Sequence, residues 1–165
     1  MKTRISLLTI LSLMLICLCA CENKKELKDF SFTYSMESVD NYKMMVTFDS
    51  KKNYKLEEYN YFFDNFAKKK DPRIKEGTLT DKEFKQIQSL IVDSKLFEMK
   101  DSYGFEKDYN RDLGDIMYQI SFNAEGKDKY ISIRSTEDQP FSTQFVGLIG
   151  YINKFINSHK GKEAK

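Results

Sequence analysis

The run from Ile5 to Ala20 carries no charge and closes on Leu18-Cys19-Ala20-Cys21. It constrains the rest of the chain more than any other stretch. Lys2 and Arg4 precede it, which is the arrangement of a secretory signal, a short positive segment followed by an apolar one. Its 16 residues fall short of the roughly 20 that a membrane-spanning helix needs. All three cysteines, Cys17, Cys19 and Cys21, lie in this run or at its end. Whatever follows must fold without disulfides and rely on packing. The 13 Phe and 10 Tyr of the chain point to a core rich in aromatic side chains.

Only Cys21 has a small residue, Ala20, directly before it and a leucine, Leu18, three places back. Cys19 follows Leu18 and Cys17 follows Ile16, both too bulky for a peptidase that reads a small side chain. The pattern resembles bacterial lipoprotein precursors. The resemblance implies recognition through Leu18 and Ala20, cleavage after Ala20, a diacylglyceryl thioether on Cys21, and acylation, by palmitate for example, of the new N-terminus. Each buried CH₂ contributes about 0.8 kcal/mol, so two or three acyl chains hold the protein at the membrane permanently. Loss of residues 1–20 as a signal peptide would leave 145 of the 165 residues, one domain of ordinary size. Lys2 and Arg4 leave with it, so the 27 basic side chains fall to 25 and match the 25 acidic ones. A nearly neutral chain lacks the basic surplus of a nucleic-acid binder.

Residues 21–29 read as the lipidated cysteine and a charged tether, since Glu22 to Asp29 has no apolar period. Eight extended residues reach roughly 26–29 Å. The family resemblance associates an Asp after the cysteine with inner-membrane retention. Glu22 stands there instead, which leans toward the outer membrane. The charged stretch is also similar to surface-export signals of Bacteroidota lipoproteins.

Phe30 to Met36 alternates apolar and polar residues, as does Tyr42 to Phe48, and a third such stretch runs from Tyr54 to Phe63. These predict three meandering strands. Thr80 and Glu83 have the spacing of a capping box, and Phe84, Ile87, Leu90 and Ile91 follow on one helical face. Asp101 to Asp115 reads as a loop, and Ile116–Phe122 and Tyr130–Arg134 as a hairpin across Gly126. Pro140 suits the first turn of a second helix. It runs to about Ser158 with Phe141, Phe145, Leu148, Ile149, Ile152, Phe155 and Ile156 on one stripe. The order β-β-β-α-β-β-α predicts a single α+β domain over 30–158, an antiparallel sheet of about five strands packed against two helices. His159 to Lys165 reads as a polar tail. The segment Gly77-Thr78-Leu79-Thr80-Asp81-Lys82-Glu83-Phe84, with Leu90-Ile91, Leu96-Phe97, Asp101-Ser102-Tyr103, the Tyr118–Ile133 hairpin and the final helix, resembles short Bacteroidota lipoproteins with a domain of unknown function. Some of those carry a cysteine motif near the first strands, and Phe30–Phe48 has none. The resemblance implies fold and address and brings no activity.

Several clusters invite a chemical reading. Asp108, Asn110 and Asp112 alternate as calcium ligands do, but the glycine comes one place late, Gln119 replaces the bidentate Glu and Arg111 competes. An acidic turn accounts for the same letters. Glu57-Glu58 and Asp101 could pair as glycosidase carboxylates, which stand roughly 5–9.5 Å apart. Tyr54, Tyr59, Tyr61, Phe62, Phe63 and Phe66 could form an aromatic platform. The basic run Lys68 to Arg73 reads as a solvated loop. The one histidine, His159, sits in the expected tail, and no nucleophile elbow, phosphate loop or dinucleotide fingerprint is present. No catalytic residue, metal or cofactor is assigned.

The function expected is that of a lipid-anchored envelope module that binds or supports a protein, peptide or glycan partner, with no nucleic acid. The alternatives are a small envelope hydrolase using carboxylates or a Ser–Lys pair, and a structural lipoprotein without a discrete ligand. Cys21→Ser is expected to abolish lipidation and release the protein from the membrane fraction, read by mass spectrometry and fractionation. A lipidated, membrane-bound Cys21→Ser protein would refute the assignment.

Overall fold

A computed structural model of the chain describes residues 27–38, 41–61, 71–105, 116–135 and 140–160. Leu18, Ala20 and Cys21, the Lys68–Lys70 part of the basic run, and Asp108, Asn110 and Asp112 lie outside the described residues. The strands are β1 (Phe30–Ser38), β2 (Tyr42–Asp49), β3 (Asn53–Asn60), β4 (Arg73–Thr78), β5 (Ser102–Tyr103), β6 (Ile116–Ala124) and β7 (Lys127–Arg134). The helices are α1 (Asp81–Asp93) and α2 (Thr143–His159), with a 3-10 turn at Leu96–Glu98. All seven strands form one sheet in the order β4-β3-β2-β1-β6-β7-β5. The fold is α+β, and both helices pack on one face of the sheet.

Two strands are additional to the expected five, and the sheet is mixed rather than purely antiparallel. In β4 the residues facing the helices are Lys75 and Gly77, paired with Leu56 and Tyr54, so it shows no apolar alternation. Gly77 leaves room for the Tyr54 ring, which lies only 2.7 Å from where a Cβ would stand. β5 has two residues and runs parallel to β7 through Ser102↔Ser132 and Tyr103↔Ile133. A pairing that short leaves no period to read.

The covered face follows the alternation closely. Phe32, Tyr34, Val46 and Phe48 are fully buried, with Ile120 and Ile131 beside them. They meet Ile87 and Ile91 of α1 and Leu148, Ile152 and Phe155 of α2. On the other face, Thr33, Thr47, Ser121 and Gln119 alternate with these, as the pleat requires.

α1 begins with the expected capping box. The Thr80 hydroxyl accepts from Glu83 N, and the Glu83 carboxylate accepts from Thr80 N at 2.8 Å. α2 starts later than expected. Its cap is Ser142, whose hydroxyl accepts from Phe145 N at 3.2 Å, and Pro140 lies two residues ahead of that cap. Lys52 reaches Asp81 from the β2–β3 turn, while Phe97, just beyond the end of α1, packs on Phe122 of β6. α2 runs back the other way, from Phe141 against Tyr103 to Lys160 against Glu58.

Both expected boundaries move outward. Leu27 is buried, and its carbonyl accepts from Gln88 Nε2 at 2.7 Å, so the expected tether ends inside the core. His159 closes α2 with its ring 4.0 Å from that of Phe155 and edge-on to Tyr54. Lys75 Nζ donates to its carbonyl at 2.9 Å. A sequence shows Lys75 and His159 as polar, but not what receives them.

The Thr80 hydroxyl and backbone N–H hold the Glu83 carboxyl below the usual range. Its contribution to stability is complete above about pH 4.3 and is lost as pH falls through the lowered native value. Thr80→Ala is expected to cost about 1 kcal/mol at neutral pH and to flatten this acid dependence, measured by urea unfolding across pH. Gly77→Ala drives a Cβ into the Tyr54 ring and is expected to cost roughly 1–3 kcal/mol, read by the same method.

Candidate functional site

The antiparallel registers define two ends of the sheet. Phe30, Asp49, Asn53 and Ala124 share one, and Ser38, Tyr42, Asn60, Ile116 and Arg134 share the other. α1 lies over the first end, where Phe84 stacks on Phe30 and Gln88 holds Leu27. α2 lies toward the second, where two clefts flank Asn153.

The first cleft is a groove of about 340 Å³ between α2 and the β6–β7 hairpin. Its walls are Phe145, Val146 and Ile149 of α2, its floor Tyr118 and Ile133, and Phe141 closes one end. Gly150 forms an open stretch of wall, because a Cβ there would meet nothing within 4 Å. Val146 is 57% exposed although it belongs to this apolar lining. Among the described lining residues none is charged, and Ser135 and Asn153 supply the polar edge. The second cleft, about 540 Å³, mixes the apolar side chains of Met36, Met44 and Ile156 with polar ones. It holds Tyr42, Asn60 and Asn157, with Glu58 and Lys160 paired at 3.2 Å.

Asn153 joins the two. Tyr34, at the centre of the sheet, donates its hydroxyl to Asn153 Oδ1 at 3.2 Å and stacks on Tyr118 at 6.2 Å. Burial, followed by the nearby Tyr118, pushes the Tyr34 phenol far above its ordinary value. Burial and then Tyr42 raise Tyr118 as well. Both phenols are therefore neutral around pH 7, and that of Tyr34 serves as a hydrogen-bond donor rather than a base. The groove offers shape, apolar contact and a few fixed polar atoms, which suits binding.

The carboxylates considered for glycoside hydrolysis do not converge. Glu57 and Glu58 are consecutive on β3, so their side chains leave opposite faces. Glu57 pairs with Lys55 and Glu58 with Lys160. Asp101 lies beyond β7, bonded to Lys129 at 2.6 Å. Four inter-strand steps separate β3 from β7, roughly 19 Å at the usual spacing, which is too far for the pair. The aromatic platform divides too. Tyr54 is in the core, Tyr59 and Tyr61 contact each other at 6.2 Å, and Phe62, Phe63 and Phe66 lie outside the described residues. Gln119 is exposed on the open sheet face. Among the described residues no group of three or more His, Cys, Asp and Glu could hold a metal ion, and no helix is long and apolar enough to cross a membrane.

Asn153 and Tyr118 were not singled out from the sequence. A signal for Asn153 was present. Positions 149, 152, 153 and 156 follow the helical core spacing, and a polar residue stands among Ile149, Ile152 and Ile156. No protein-family model matches the chain, and no curated protein matches it.

Above about pH 10 an unfolded chain ionises its tyrosines, while folded Tyr34 keeps its proton. Stability therefore falls as pH rises past that point. Tyr34→Phe is expected to cost about 1 kcal/mol at pH 7 and to make the alkaline fall shallower, followed by denaturant unfolding from pH 7 to 11.

Proposed function

We propose that this chain is a bacterial cell-envelope lipoprotein, similar to those of Bacteroidota. In this reading it is held by lipid on Cys21, and its domain binds an envelope protein or peptide through the groove beside α2. Leu18 and Ala20 serve as the signal-peptidase recognition positions, and the outer membrane is the favoured address. The observation that carries the binding role is the groove itself. It is a cleft of about 340 Å³ with no charged residue among its described lining, and its apolar wall residue Val146 stays 57% exposed. That volume lies within the usual range of ligand sites and accommodates one or two apolar side chains. Aromatic and aliphatic walls favour a peptide anchor over a glycan, whose hydroxyls would find few partners there. The activity is binding, and it needs no cofactor.

Gly150 makes the test specific. Replacing a helical glycine whose Cβ would meet nothing is expected to stabilise the domain by up to about 1 kcal/mol. In Gly150→Leu the longer side chain fills the groove. The variant should melt no lower than the wild type and lose crosslinking of envelope proteins to a photoreactive group at position 146. Undiminished crosslinking in a folded Gly150→Leu protein would overturn the groove as the binding site.

A further inference from the structure

Leu27 is the first described residue, and it is buried beside α1 at the end of the sheet opposite the α2 groove. Only five residues stand between it and Cys21, and the six steps of chain reach at most roughly 20–22 Å. A cleft of about 230 Å³ opens beside it, lined by Leu27, Leu96, Phe97, Phe122 and Ala124. Phe97 stands at its rim, 42% exposed, while its neighbour Leu96 is buried. Lys95 sets this geometry. Its backbone is left-handed, with φ 49° and ψ 48°, an uncommon conformation for a lysine. It turns the chain sharply after α1, so that Leu96 enters the core and Phe97 lies over Phe122 with its outer side exposed.

We propose that this end of the domain rests on the lipid bilayer, with Phe97 inserted at headgroup depth. The inference depends on the lipid anchor at Cys21 and adds an interaction surface and an orientation to it. The tether emerges beside this cleft, so Phe97 stands within its reach. The far end of β1 lies roughly 26 Å further along the strands, beyond the tether's full length. The contact is apolar in kind. Lys95 and Lys127 line the same cleft as Glu98 and Glu125, so its described lining has no net charge to attract anionic lipid. An aromatic side chain entering the boundary between headgroups and acyl chains does not require such attraction. Seated this way, the domain holds the α2 groove away from the membrane and open to a partner.

The chain contains no tryptophan, so a single one reports its own surroundings. The lipidated full-length protein carrying Phe97→Trp, and separately Val146→Trp, is reconstituted into phosphatidylcholine vesicles with bromine on the acyl chains near the headgroup. Phe97→Trp emission is expected to fall about twofold or more relative to unbrominated vesicles, as for a side chain at the interface. Val146→Trp emission is expected to stay unchanged, and anionic lipid should leave both results as they are. An unquenched Phe97→Trp, or equal quenching at position 146, overturns the proposal when mass spectrometry finds lipid on Cys21 in the same sample. If Cys21 carries no lipid, the lipoprotein reading fails and takes this inference with it, so the two failures read apart.

Discussion

The nine-residue ladder between β1 and β6 holds the domain together. It pairs Phe30 with Ala124 at one end and Ser38 with Ile116 at the other. On one side of it β1–β4 form a meander, and on the other β6 and β7 form a hairpin with β5 along its edge. No turn joins the two halves at this seam, and each would otherwise expose a long edge of unpaired backbone. The seam also centres the core, because Phe32 stacks on Phe48 across one pairing and packs tilted on Phe122 across the other. The pairing links residues more than 75 positions apart, so loop closure must precede its reward.

The ladder dictates where the helices go. Only one sheet face is apolar, and both helices must cover it. Each carries a polar residue within its apolar stripe. Gln88 on α1 takes the Leu27 carbonyl, and Asn153 on α2 takes the Tyr34 hydroxyl. A buried polar group without a partner costs roughly 1–3 kcal/mol, so each such position demands a specific contact where any apolar residue would accept several. The two polar breaks thus pin the N-terminal segment to α1 and the central tyrosine to α2. They also mark the two ends of the domain, the one beside Leu27 and the one where the grooves open.

Edge strands complete the sheet at little cost in sequence signal. β4 carries Arg73, Lys75 and Glu76, charges that discourage further strand addition, and it owes its inward packing to Gly77 beneath Tyr54. The aromatic residues that look alike in the sequence separate by role. Phe48 and Phe155 meet edge to face at 5.2 Å inside the core, whereas Phe97 is left at the surface.

The sequence by itself determined the α+β class, the three meandering strands, the hairpin, both helices and the Thr80–Glu83 cap. Each of these rests on local period or local hydrogen bonding, which adjacent residues supply. The tertiary structure alone decided that β1 lies at the centre, that β4 and β5 join the sheet, and that Glu57 and Glu58 stand far from Asp101. It also decided that Leu27 belongs to the core, that His159 packs on its edge against Phe155 and Tyr54, and that a groove lies beside Asn153. These depend on which distant surfaces meet. Burial on a strand or helix face is written in spacing, but the identity of the partner across the core is set by the closure of the whole chain.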